Sequence, residues 1–166
     1  MRAGSDCEAD LKRCVEGAVA GLAGTFALWA AQTAIQKFLP DAMDPMQEDP
    51  GKFAVRKVHD SLPLRVAESI PEEADGMIGQ FLGFFYGMTF GALYAWTRPK
   101  GGSIVGDGVA LGILCWATGY LGWLPAAGLM SPLWRQRTPQ VLGPIGHHIV
   151  YGVATVGTFD LLREHM

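Results

Sequence analysis

The chain has 166 residues, 49% apolar and only 17% charged, with a net charge of −3 and a positive mean hydropathy. One domain fits that length. So few charges point to a membrane protein, with a soluble all-helical bundle of buried helices as the alternative, and an acidic balance without a basic stripe excludes a nucleic-acid interface.

Residues 1–14 form an N-terminal polar segment. Lys12 and Arg13 then precede an apolar run too long for the h-region of a secretory signal, with no small-x-small site after it, so it reads as an uncleaved first membrane helix. Four charge-free stretches follow one another: Gly17–Gln36, Gly76–Thr97, Gly108–Trp134 and Thr138–Phe159. Each reaches the roughly 20 residues that cross a bilayer core as a helix. The spans are set at about 15–38, 78–97, 104–124 and 144–162. Pro40, the turn Arg98-Pro99-Lys100-Gly101-Gly102 and Pro125 close the first three. The expected fold is therefore all-α, an integral membrane four-helix bundle, with residues 15–166 as a single four-span membrane domain.

The connection 40–75 is the sizeable extramembrane piece, divided by Pro40, Pro45, Pro50, Pro63 and Pro71. Within it, Lys52–Leu62 sets Phe53, Val58 and Leu62 on one side of a short amphipathic helix. Such a helix lies on the membrane surface or on a partner, or else caps the bundle. Tyr94 and Trp96, Tyr120 and Trp123, and Trp134 fall where aromatic belts anchor helix ends, whereas Trp29 and Trp116 are deeper and read as packing residues. Lys and Arg on the short flanks favour both termini in the cytoplasm.

Glycine, at 22 of 166 residues, is well above its usual share of about 7%. Gly79, Gly83, Gly87 and Gly91, continued by Ala95, put bare backbone along one face of span 2, and Gly17/Gly21 and Gly108/Gly112 repeat the spacing in spans 1 and 3. Lipid offers no hydrophobic drive for helix association, so small-xxx-small faces mark close packing, either within the chain or toward an oligomer or partner. Glu16-Gly17-x-x-x-Gly21 resembles Asp107-Gly108-x-x-x-Gly112. Tyr86-Gly87 and Tyr151-Gly152 are each followed by an arginine, Arg98 or Arg163, at the same distance. Two tandem helical hairpins would produce that order, with Glu16 and Asp107 facing the positive ends of helix dipoles.

Chemistry-bearing residues are few. His147 and His148 open span 4, and a ring nitrogen there would ligate haem or a chlorophyll-type pigment. Alternatively the pair hydrogen-bonds to headgroups or backbone, since a second histidine at comparable depth is lacking. Asp160 and Arg163 have the spacing of an ion pair within one helix. Leu124–Trp134 reads as a rigid, partly inserted turn. Cys7, Cys14 and Cys115 lack metal spacing, and no catalytic motif occurs. No enzyme, catalytic residue or metal ligand is expected.

Leu124-Pro125-x-x-Gly128-Leu129-Met130 before His148-x-x-Tyr151-Gly152, with a glycine-rich first span and a Tyr-Gly second span, resembles the YagU-like family of small bacterial inner-membrane proteins, a domain of unknown function. The resemblance implies a four-span protein of the bacterial inner membrane with no settled activity, linked in some members to acid tolerance. It marks Tyr86, Gly87, His148, Tyr151 and Gly152 as pattern positions and supplies no catalytic residues. The acidic, proline-rich first connection is more elaborate than that pattern. The leading expectation is a non-catalytic structural or accessory subunit whose partners are the bilayer and other membrane subunits. The alternatives are a small transporter or channel and a haem- or pigment-binding subunit.

Overall fold

The computed structural model describes residues 2–42, 52–53, 56–57, 72–98 and 102–164. Four long helical elements organise them: α1 (Arg2–Phe38), α2 (Glu72–Thr97), α3 (Ile104–Ala117) and α4 (Thr138–Glu164). The described residues are thus all-helical, as expected. Val58 and Leu62 lie outside them, as does most of the 40–75 connection.

Helix α1 is longer than its apolar stretch. The polar segment at the N-terminus is helical and runs into span 1 without a break, giving a rod of about 55 Å at 1.5 Å per residue. Its alanine-rich middle has the best helix-forming residue at many positions. This corrects one expectation, because Glu16 does not cap a helix. It sits a few turns inside α1, with Lys12 Nζ 3.8 Å from its carboxylate.

Ser103 starts α3 as its N-cap, accepting from the Gly106 backbone at 3.4 Å. The third expected span is not one continuous α-helix. Beyond Ala117 the backbone widens into a π-helical stretch, Thr118–Trp123, and Gly122 takes non-helical angles (φ −101°, ψ −106°). Pro125 has no N–H to return to Leu121, so the regular ladder cannot close there. A last helical turn, Leu124–Ala126, then stops at Gly128 (φ 74°). Gly128 N donates to Pro125 O at 3.1 Å and Leu129 N to Leu124 O at 3.0 Å, the two bonds of a Schellman stop. Leu124 and Leu129 are buried in the same apolar cluster, which completes the motif and makes this connection rigid.

Helices α1 and α4 form the central pair. Helix α2 flanks α1, α3 flanks α4, and α2 and α3 touch only sparsely. One core cluster joins all four through Ala20, Phe90, Tyr94, Leu111, Tyr151 and Phe159. A second gathers Trp116, Tyr120, Leu124, Leu129 and Met130, with Phe53 packed against it. Phe53 therefore packs in part against this end of the bundle. Two of the helical stretches, Glu8–Phe38 and Ile104–Ala126, are long and apolar enough to cross a membrane.

Candidate functional site

Glycine closes both outer seams. A Cβ on Gly17 would land on the Gly91 carbonyl, and one on Gly21 would strike the Gly87 carbonyl; Gly91 in turn faces Gly17 O. Between α3 and α4, Gly108 lies against Val153 backbone, Gly112 against His148 O, and Gly152 against Gly108 O. Gly24 brings α1 equally close to Tyr151 and Thr155 of α4. The two outer seams differ in register: Gly21 meets Gly87, whereas the sequence-equivalent Gly112 meets His148.

The glycine face of α2 is used only in part. Gly83 has open space where a side chain would go, although the spacing placed it in the seam with Gly87 and Gly91. Phe84, beside it, packs on Phe26 and Trp29 of α1, with ring centroids 5.2 and 4.7 Å apart. These rings occupy the gap between the helices at that level and hold the backbones apart.

Polar side chains tie the helices across the bundle. Tyr151 donates to Gly87 O at 2.6 Å, Tyr86 to Cys115 O at 3.2 Å and Tyr94 to Asp107 Oδ2 at 3.0 Å. Arg98 and Asp160 form a two-pronged ion pair, with Nη2 to Oδ2 at 2.9 Å. Asp160 thus pairs between helices rather than with Arg163. The Arg98 guanidinium also sits 5.8 Å from the Tyr94 ring and 5.6 Å from that of Phe159. Tyr94 and Tyr120 turn inward, leaving Trp96, Trp123 and Trp134 on the outside.

At the opposite end, His147 is 4% exposed and His148 lies beside it, with ring centroids 4.7 Å apart. His148 Nδ1 is 2.8 Å from Pro144 O, so that nitrogen carries the proton and Nε2 is left as the acceptor. Tyr120, on the π-helical stretch, sets its ring at 84° to His148, and Trp116 stacks on Tyr120. Trp116 Nε1 is buried without a hydrogen-bond partner among the described residues. Irregular π turns often bring such side chains together at functional sites.

No family model, curated protein or solved structure matches this chain. Its function therefore has to be argued from its own residues.

The spacing rules identified the glycines and histidines. They did not identify Arg98 or Tyr94 as structural ties. The available signal was position along the helix: Arg98 directly follows α2 and Asp160 lies near the end of α4, which brings both to one end of an up-down bundle.

Proposed function

We propose that the chain is an integral membrane protein of four spans that acts as a non-catalytic structural or accessory subunit, packed against a larger membrane complex. One observation carries this. The outward faces present large apolar side chains, among them Phe81 (68% exposed) and Phe85 (70%) on α2 and Leu121 after α3, while the inner seams are closed by glycine. Exposure on this scale is unfavourable in water and marks a membrane or partner surface. Two helices meet the length and hydropathy of a span, and the charge-free stretches 76–97 and 138–159 supply the other two. The open flank of Gly83, on a different side of α2 from Phe81 and Phe85, offers a place for a partner helix. The family resemblance and the tandem-hairpin organisation belong to this proposal. Both hairpins close through glycine, with a register offset of one helical turn.

The threonine hydroxyls favour a structural role over a conduit. Thr33, Thr89, Thr118 and Thr155 each donate to the carbonyl one turn back, at 2.7–2.8 Å. Self-satisfied hydroxyls of this kind do not build a polar pathway. Extraction from the native membrane in mild detergent, followed by size exclusion and mass identification, tests the accessory role. Co-migration with a large complex is expected; elution as a lone monomer overturns it.

A second reading rests on the His148 ring, whose carbonyl-bonded Nδ1 leaves Nε2 as the nitrogen that would hold the metal of a haem or pigment. A haem- or pigment-binding subunit would show a visible absorption band that His148→Ala abolishes. Colourless protein from the native membrane removes this reading.

A further inference from the structure

Where α1 begins and α4 finishes, a cavity of about 400 Å³ is lined by Ala9, Asp10, Lys12, Arg13, Glu16 and Arg163. Its cations come from two helices and are unequally occupied. Lys12 is offset by Glu16 at 3.8 Å, and the Asp10 carboxylate stands exposed beside them. Arg13 Nη2 reaches only the Arg98 carbonyl, at 3.5 Å, and Arg13 Nε is buried with no partner among the described residues. Arg163 lies 5.8 Å from the Phe159 ring centroid and, among the described residues, has no carboxylate within ion-pair distance. Arg98, at the same end, is already committed to Asp160. Asp10 and Glu16 also line the cavity, but among the described residues neither guanidinium has a carboxylate within ion-pair distance, and the three cations outnumber the two acids.

A planar guanidinium presents paired N–H donors that match the oxygens of a phosphate. An apolar stripe adjoins the cavity. Leu11, Val15 and Val19 are exposed at four-residue spacing along α1. Val15 and Val19 lie three and seven residues from Lys12, so the stripe rises directly beside that cation. We propose that this cavity binds a phosphate group, carried by a lipid headgroup or as free phosphate. The stripe favours the lipid, whose acyl chains would lie along Leu11, Val15 and Val19 with the phosphate between Arg13 and Arg163. That lipid form rests on the membrane reading above; the phosphate site itself does not.

Native mass spectrometry of the full chain in detergent tests it, with phosphatidylglycerol, phosphatidylcholine and inorganic phosphate as probes. Wild-type protein is expected to retain phosphatidylglycerol, whose phosphate charge is uncompensated, over phosphatidylcholine, whose phosphate is offset by its own choline cation, by on the order of tenfold, the worth of one charge-assisted contact. Arg163→Gln, at an exposed position in the last turn of α4, should remove most of that preference, and R13Q/R163Q all of it. Lys37→Gln, at the far end of α1, should leave it intact. Insensitivity of the retained lipid to inorganic phosphate assigns the site to a headgroup. Binding of inorganic phosphate with the same dependence on Arg13 and Arg163 assigns it to free phosphate. Equal retention of the two lipids, together with no arginine-dependent phosphate binding, overturns the proposal. Carbonate washing of the native membrane separates the two claims: a chain released to the supernatant defeats the four-span reading, while the phosphate arm still decides the cavity.

Discussion

Among the described residues, Arg98 and Asp160 are the charged pair held most closely, with side chains 11% and 20% exposed. Two ions brought this far from water are tolerated because each satisfies the other, and removal of one leaves an uncompensated charge. Asp160→Ala should therefore lower the unfolding free energy by about 3 kcal/mol, read as a fall in melting temperature of the detergent-solubilised protein. Arg98→Ala should do the same, and the double variant should recover part of the loss. Additive losses would show that the two side chains act independently. Arg163, by contrast, lies at an exposed position, so its substitution should leave stability nearly unchanged.

At the scale of the element, glycine matters where backbones meet. Gly21 lies against the Gly87 carbonyl and Gly91 against the Gly17 carbonyl, whereas Gly83 faces open space. Gly21→Val must push α1 off α2 and should cost about 1–3 kcal/mol or more, as overpacked cores do. Gly83→Ala meets nothing and should be neutral or stabilising by up to about 1 kcal/mol through helix propensity. Thermal melts of the two variants check the contrast. Equal destabilisation by both would mean that the seam extends through Gly83. The spacing in α2 had pointed to one continuous glycine face, but Phe26, Trp29 and Phe84 fill the interface one turn away. Side-chain volume on two helices, not spacing on one, sets where the seam opens. Similarly, Pro125 was legible as the end of the third span, but the π-helical form of Thr118–Trp123 before it was not.

For the whole molecule, α1 and α4 run antiparallel. Arg13 and Arg163 line one cavity, and Gly143 meets Ala42 at the other end. In the four-span arrangement the ends of α1 and α4 lie on opposite faces of the membrane. With Cys7, Cys14 and Cys115 replaced, Lys37→Cys and Glu164→Cys should be labelled by an impermeant thiol reagent from opposite sides. Labelling of both from one side would sink that arrangement. The order of helices around the bundle, with α1 and α4 central, was not legible from the connections. It arises because Gly24 lets α1 approach Tyr151 and Thr155 of α4, while α2 and α3 meet mainly through long tyrosine side chains.

The sequence by itself determined the helical elements, their apolar lengths and the bare-backbone positions Gly17, Gly21, Gly87, Gly91, Gly108 and Gly112. Each of these follows from local chemistry: side-chain volume, helical period and the distance between charges along the chain. It also brought His147 and His148 together, since adjacent residues on one helix need no other element to meet. Only the tertiary structure decided that Asp160 pairs with Arg98, that Phe53 packs against the second core cluster and that Arg13 and Arg163 share a cavity. Those partners come from different helices, and no pattern along one helix specifies which neighbour stands beside it or at what depth. That choice is made by which glycines allow backbones to touch and which aromatic rings keep them apart.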